Sequence, residues 1–595
     1  MNIKLRTLIA CACTTLGMMP FVGCMDSDYK LDDIDLTIGI GDDEILLPVS
    51  SSAVIPLEDI LKLNNSETIV EKENGDYYFV RNGGTVKPTE TSVDPIRFGL
   101  SRGELYNFDI DLSSYSAMVG NITEPVELEY DFEKEKNIYC FTYLGTIPDE
   151  IDDLESAQTD VYIYIQSQFS ASMRTMLPII SELTIELPRY LNIGTVNTDY
   201  EYAKEGTNVV LKNVDTSKPL KLGFDIESVD FNEENSELGT LVIENNKITM
   251  TSYVKMKIKA NKIVIDPAVN PKNCKVQSSF YIDELVEITE VRGTLNPAID
   301  IYDLGKAEFD DIPDFLTNDG VVVDIHNPQL ILFIDSELDM PGYVGGTLRA
   351  FKDGVQTAEV EVPDFRIEEK KTSKVCICRR NENLVDDDYT FIVEVPNLSS
   401  ILDPVPDSVC FDGHASADRN TVVEFTLGKT YTLHPRYHIE TPLAFGENAR
   451  IVYCDTLKGL NEDLKDVDVT KNTRIELTAD IENRIPAYLN VSAVAIDVNG
   501  NEMPTSEVAV QTIGEVSASA DGSTPVTSPL KVELTIAPGA SKKIEGLKVT
   551  ASGSARSDGQ GQVVTGQILN SRNHSLVVKN LQIKLVGKFV VDLND

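Results

Sequence analysis

A chain of 595 residues has room for three to five domains at roughly 100 to 200 residues each. Its 96 acidic residues against 52 basic ones give a formal charge of −44, a field that repels phosphate backbones and excludes nucleic acid as the expected partner, while permitting divalent cations or basic ligands. The nine cysteines are too dilute for a disulfide scaffold, and there is no tryptophan.

Lys4 and Arg6 precede an uncharged stretch containing Leu8-Ile9-Ala10 and Leu16-Gly17-Met18-Met19, the pattern of an export signal. The stretch falls short of the roughly 20 apolar residues a spanning helix needs, and Pro20 interrupts it, so cleavage is expected rather than retention. The residues Phe21-Val22-Gly23-Cys24 resemble the lipobox of bacterial lipoproteins, with Phe21 in place of the usual Leu or Val. The resemblance implies a signal peptide over 1–23 and a membrane anchor of lipid on Cys24, which would become the new N-terminus. Stable anchoring takes more than one acyl chain, which a triacylated cysteine supplies. The acidic run from Met25 to Asp33 resembles the export tag of surface-exposed lipoproteins of the Bacteroidota, implying an outer-membrane protein facing outward. A solvated tether is the plainer reading of the same residues.

Beyond the leader, residues 24–110 are expected to form the tether and a small N-terminal β unit. Short helices are predicted over Pro56 to Leu63 and Asp149 to Leu154. Most of the rest alternates with the period of strands: Val254, Met256, Ile258 and Ala260 against Lys255, Lys257 and Lys259, then Val532, Leu534 and Ile536, and finally Leu581, Ile583 and Leu585. Asn74-Gly75, Asp319-Gly320, Asp353-Gly354 and Asn499-Gly500 are hairpin signals. The run from Ala551 to Gly561 reads as a flexible loop joining the last strands. The fold class is mainly β, as tandem antiparallel β-sandwich modules with short helices.

The chain also repeats itself. Leu187-Pro188-Arg189-Tyr190-Leu191 returns as Met340-Pro341-Gly342-Tyr343-Val344 and as Ile485-Pro486-Ala487-Tyr488-Leu489, at intervals of 153 and 145 residues. An alternating strand precedes each copy. Further upstream, Tyr143-Leu144-Gly145, Asp303-Leu304-Gly305 and, more loosely, Leu457-Lys458-Gly459 also correspond. Three modules are therefore expected, over 111–275, 276–440 and 441–595. Proline ends a strand and suits a sheet-to-sheet crossing, and a tyrosine two residues later can bury its ring while its hydroxyl meets a loop carbonyl. The motif reads as a structural corner.

Signals for chemistry are sparse. Gly428-Lys429-Thr430 mimics the end of a phosphate loop, but Val423 stands where its first glycine belongs, and a hairpin turn is expected. Gly39-Ile40-Gly41 lacks the third glycine of a dinucleotide site. His434 and His438 could share a strand face, without the further ligands zinc needs; His326, His414 and His574 stand apart from any metal motif. Asp497, Asn499, Asn501 and Glu502 surround Gly500 without calcium-loop spacing. Cys140, Cys274, Cys376, Cys378, Cys410 and Cys454 are expected to be mostly buried free thiols. No carboxylate pair stands out, and no nucleophilic serine lies in an elbow motif. Twenty-two tyrosines remain as aromatic contacts, with Tyr162 and Tyr164 on one strand face.

The expectation is a non-catalytic, lipid-anchored envelope protein without metal or cofactor, whose β modules bind an envelope protein or act as a scaffold. A glycan-binding role in nutrient uptake is the alternative, with a hydrolase third. Exposed aromatic rows would favour the glycan, and a deep pocket with convergent acids the hydrolase.

Overall fold

The computed structural model describes residues 37–40, 45–48, 53–61, 68–83, 87–299, 306–309, 314–318, 320–458, 467–469, 473–558, 561–587 and 589–592. Almost every sheet contact within it is antiparallel, and the few helices are short. The signal peptide, Cys24 and the acidic run lie outside the described residues, as do Asp303-Leu304-Gly305, Asp319, Gly459 and part of the 551–561 loop.

Three sandwiches share one strand plan. In the first, a sheet runs in the order Asn208–Asp215, Ile179–Glu186, Lys247–Ile265, Val126–Thr146, and faces a sheet ordered Leu191–Thr198, Leu220–Asp230, Ile151–Phe169. The second repeats this with Thr372–Cys378, Gln329–Ser336, Tyr431–Pro442, Tyr77–Asn82 opposite Gly342–Lys352, Ser408–Ala417, Lys306–Glu308. The third does so with Val526–Ile536, Thr473–Asn483, Ser575–Val586 and then Ile45–Pro48 and Ala53–Pro56, opposite Tyr488–Asp497, Ile544–Ser554, Arg450–Lys458.

The sandwiches are nested rather than tandem. In each, one edge strand comes from earlier in the chain than the other six. For the first sandwich that strand, Val126–Thr146, directly precedes the next. For the second it is Tyr77–Asn82, so the whole first sandwich is inserted before the chain returns at Lys306–Glu308. For the third it is the pair Ile45–Pro48 and Ala53–Pro56, and both other sandwiches intervene before Arg450–Lys458. Thr37–Ile40 closes the outermost layer on Phe589–Asp592. This corrects the expected boundaries. Among the described residues of 24–110 there is no separate β unit: apart from Thr37–Ile40, which pairs with Phe589–Asp592, their strands are shared out among the three sandwiches. Residues 276–299 belong to the first sandwich, since Cys274–Ile282 and Glu290–Leu295 both pair with Ile151–Phe169.

Strand Lys247–Ile265 shows how sequence makes these elements. Met250, Val254, Met256, Ile258 and Ala260 point inward, while Lys255 and Lys259 stand outward against Glu186 at 3.1 Å and Glu182 at 2.9 Å, and Lys257 pairs with Glu133. Such cross-strand pairs add to a sheet already held by its buried face. The expected helix at Asp149 to Leu154 is instead the start of strand Ile151–Phe169. Register shifts between Ile151 and Asp153 and between Leu154 and Ser156 bring Ile151, Leu154 and Ala157 inward, and that three-residue spacing imitates a helix face. The other expected helix forms, over Leu57–Leu61. Ala551 to Ser554 is the end of strand Ile544–Ser554 rather than loop; an added Cβ at Gly553 would lie 3.4 Å from Leu489 of the neighbouring strand.

The interfaces run from first to second and from second to third. Strand Val423–Thr426 leaves the second sandwich to pair with Glu290–Leu295 of the first, and Val423, Phe425 and Leu427 join a continuous apolar core. Arg419 grips Asp152 with two bonds of 2.7 Å. At the other junction Leu57, Phe315, Leu443, Phe445, Ile485 and Leu569 form a separate cluster. Asn570 donates to Asp76 at 2.8 Å across it.

Candidate functional site

The repeated Pro-x-Tyr motif is a corner in all three sandwiches. Ile179–Glu186 and Leu191–Thr198 lie in opposite sheets on either side of Pro188; Gln329–Ser336 and Gly342–Lys352 flank Pro341 likewise, as do Thr473–Asn483 and Tyr488–Asp497 around Pro486. Tyr190 is fully buried, donates to the Thr251 carbonyl at 2.8 Å and lies 3.0 Å from Ser252 Oγ. Burial pushes its ionisation well above the ordinary tyrosine range. Tyr488 is also buried, with its hydroxyl 3.4 Å from Gln562 Oε1. Tyr343 occupies the matching place half-buried, and the second corner is tied instead by Tyr431, whose hydroxyl bonds Asp339 and, at 3.1 Å, the Thr426 carbonyl.

The other motifs resolve into structural roles. Gly428 takes φ +75° in the turn before Tyr431–Pro442, where Lys429 lies 4.4 Å from the Tyr431 ring centroid. Asp497 Oδ1 accepts the backbone N–H groups of Asn499 and Asn501, both at 2.9 Å, and Gly500 has φ +82°, so this carboxylate is spent on its own hairpin. His434 is exposed on the strand that carries His438, while His438 is held by Asn82 at 2.8 Å and Glu440 at 3.0 Å. His326 meets Glu382 at 2.9 Å and His414 meets Asp364 at 2.7 Å. No group of three or more His, Cys, Asp and Glu side chains converges among the described residues. The six cysteines are free, with Cys140, Cys274, Cys376 and Cys378 buried. Hydrogen bonding with Cys378, and then burial, push the Cys376 thiol up, away from the reactive thiolate.

A different kind of tyrosine lies on the open face of the first sandwich. On Ile151–Phe169, the buried Ile163 and Ile165 alternate with the outward Tyr162, Tyr164 and Gln166. Across the sheet, Tyr164 stands directly opposite Tyr281 of Cys274–Ile282 on one side and opposite Gly223 of Leu220–Asp230 on the other. The three rings therefore come from two neighbouring strands, roughly 5 Å apart between strands and roughly 7 Å along one. Tyr162 is 36% exposed and Tyr281 59%. A Cβ added to Gly223 would come within 2.0 Å of the Tyr162 hydroxyl, so the absent side chain lets that ring lie across the strand as a floor. Asp225 is turned toward Gly194 and accepts the Thr195 N–H at 3.0 Å.

Sequence reasoning pairs Tyr162 with Tyr164 but misses Tyr281 and Gly223. Cross-strand register joins them, and no local pattern announces it.

The second sandwich contains an apolar cavity of about 110 Å³ between its sheets, walled by residues including Phe79, Phe309, Leu332, Leu348, Ile401 and Phe411. Its polar rim is internally satisfied: the Gln329 N–H donates to Thr441 Oγ1 at 2.9 Å. Water would find few partners on such walls. The cavity holds no convergent acids.

No protein-family model matches the chain, and no curated protein matches it. Among solved structures it is similar to a candidate secreted protein of Parabacteroides distasonis ATCC 8503, at 17% identity over 48% of this chain and 81% of that one, with a TM-score of 0.34. It is also similar to a mutant VP2 protein of infectious bursal disease virus, at 7% identity over 90% and 83% of the two chains, with a TM-score of 0.09. Both scores fall short of a shared fold, so any reading of function rests on this chain's own residues.

Proposed function

We propose that this chain is an exported, non-catalytic display protein, anchored by lipid on Cys24 at the outer membrane and facing outward, which holds its first sandwich away from the membrane to meet an envelope protein or glycan. The observation that carries this reading is the nesting. The first described strand, Thr37–Ile40, pairs with the last, Phe589–Asp592, so the outermost layer gathers both ends of the described fold. A tether from Cys24 leads first into that layer. The second sandwich comes next, and the first is reached through it. Insertion thus converts a single anchored end into a base, a middle and a tip.

Three measurements test this. Cells fed a radioactive fatty acid should label the chain and leave Cys24→Ala unlabelled; equal label in both would remove the anchor. On a Cys454→Ser background, a fluorophore at Asn499→Cys in the third sandwich should be quenched by nitroxide-bearing lipid more strongly than one at Glu234→Cys in the first. Equal quenching, or the reverse order, would overturn the base-to-tip arrangement. For the outward face, protease added to intact cells should digest the chain, whereas protection until lysis would place it in the periplasm.

A further inference from the structure

We infer that the open tyrosine face of the first sandwich is a binding site for a neutral polysaccharide, with Tyr162, Tyr164 and Tyr281 as the stacking floor. Binding there does not require lipid on Cys24, so it and the display reading fail separately.

These tyrosines differ from the buried Tyr143, Tyr190 and Tyr431 in what their hydroxyls leave undone. Buried Tyr143, Tyr190 and Tyr431 each place the hydroxyl on a protein acceptor. The hydroxyls of Tyr162 and Tyr164 meet no protein partner among the described residues, and that of Tyr281 reaches only Asp283, at 3.4 Å. Exposing Tyr162 and Tyr281 beside a half-buried Tyr164 forfeits burial in one row, and ordinary surfaces scatter such residues singly.

The company the rings keep is polar, with Asp225 opposite Tyr162, Lys221 opposite Gln166 and Asp283 beside Tyr281, and otherwise uncharged. Outward neighbours on the same strands are Gln166, Gln168, Gln277 and Ser279, and Asn197 stands beyond Gly223. The amides of Gln166, Gln168 and Gln277 are likewise without protein partners among the described residues. Each amide offers two donors and an acceptor, so the rim can meet hydroxyls that both give and accept hydrogen bonds. A pyranose has this dual character: one face of C–H groups that lies flat on an aromatic ring, and an equator of hydroxyls. Tyrosine also serves protein interfaces, so it is the amide rim beside the rings that points to a hydroxyl-rich sugar.

Charge narrows the ligand further. Lys221, Asp225 and Glu227 sit on the neighbouring strand, and Lys275 on Cys274–Ile282 is drawn to Asp109 at 3.3 Å. This mixed set supplies no cationic cluster, and the chain as a whole carries −44. A sulfated or uronic polymer would approach against that field, whereas a neutral one would not. Gly223 completes the design by letting Tyr162 recline, since any side chain there would lift its ring.

Because the chain lacks tryptophan, its emission comes from its 22 tyrosines, and comparison with the triple variant isolates the share of these three rings. The full-length chain in detergent would be titrated against an array of neutral oligosaccharides, including maltohexaose, cellohexaose, xylohexaose and mannohexaose, with chondroitin sulfate as the anionic comparison. At least one neutral member should bind. Tyr162→Ala/Tyr164→Ala/Tyr281→Ala should weaken that binding at least tenfold, whereas Tyr202→Ala, which removes an exposed tyrosine from the other sheet, should leave it unchanged. Gln166→Ala/Gln277→Ala provides a second variant that spares the rings and should also weaken binding. No binding across the neutral array, binding of chondroitin sulfate alone, or unchanged affinity in both multiple variants would overturn the inference.

Discussion

Tyr190 and Tyr162 belong to the same sandwich, yet one is wholly buried with its hydroxyl bonded and the other lies on the open face, its hydroxyl without a partner among the described residues. The buried ring closes a corner between two sheets. The open one closes nothing, and its neighbours Tyr164 and Tyr281 extend it into a surface. Residue type thus carries little meaning until register assigns a face. A tyrosine that satisfies itself is structure, whereas a row that does not is available to something else.

The widest separation between the two regions should appear in stability. Tyr190→Ala removes a fully buried ring and leaves Ser252 and the Thr251 carbonyl without that partner, a change expected to cost about 3 to 5 kcal/mol. Tyr190→Phe keeps the packing and should cost about 1 to 2 kcal/mol for the lost bond. Urea denaturation tracked by tyrosine emission would measure both. A Tyr190→Ala loss below the Tyr190→Phe loss would dissolve the distinction between corner and face.

A titration sharpens the same contrast between satisfied and open polar groups. His574 is buried in the third sandwich, accepts the Asn570 N–H on Nδ1 at 3.0 Å and faces the Gly522 backbone through Nε2. Burial lowers its pKa from 6.5 to about 4. Between those values the unfolded chain binds the extra proton and the folded one does not, so stability is full above pH 6.5 and falls as pH drops toward 4. The whole shift corresponds to a loss on the order of 3 kcal/mol. Midpoints of urea unfolding at pH 7 and pH 4.5 would show it, and His574→Gln should flatten the difference.

How much of this is legible in the sequence depends on the distance over which information acts. Alternation such as Val254 to Ala260 is local, and it reveals the β class. The Pro-x-Tyr motif is local too, and it marks three equivalent corners. Nesting is invisible, because whether Ala53–Pro56 pairs with Ser575–Val586 or with a near neighbour is decided by cross-strand packing that a four-residue strand does not spell out. The segment from Ile151 misleads for a related reason: its bulges are induced by partner strands, and they shift its burial to a helical spacing. For the candidate site, Tyr162 and Tyr164 are visible as a pair, whereas Tyr281 and Gly223 enter only with the sheet.

The cavity in the second sandwich offers a smaller effect. Val409 lines it, and Val409→Ile adds one methylene to a wall that faces empty volume. Filling of this kind is expected to raise stability by about 0.5 to 2 kcal/mol, and a thermal melt would detect it. A lower melting temperature would mean that the wall around Val409 is already closely packed. This change leaves both tyrosine regions untouched, so it also tests whether the second sandwich can be stabilised without altering ligand binding on the first.

The smallest expected effect is the most discriminating. Tyr281→Ala removes a ring that is 59% exposed and whose hydroxyl has only a long contact to Asp283, so unfolding should shift by no more than about 0.5 kcal/mol. Besides that contact, the cross-strand pairing with Tyr164 is at risk, and at so exposed a site it contributes at the low end of the roughly 0.2 to 1 kcal/mol of such pairs. If the urea midpoint stays in place while oligosaccharide binding falls, the face is selected for what it contacts. A midpoint that moves as far as it does for Tyr190→Phe would make Tyr281 another structural tyrosine, and the row would then belong to the sheet rather than to a ligand.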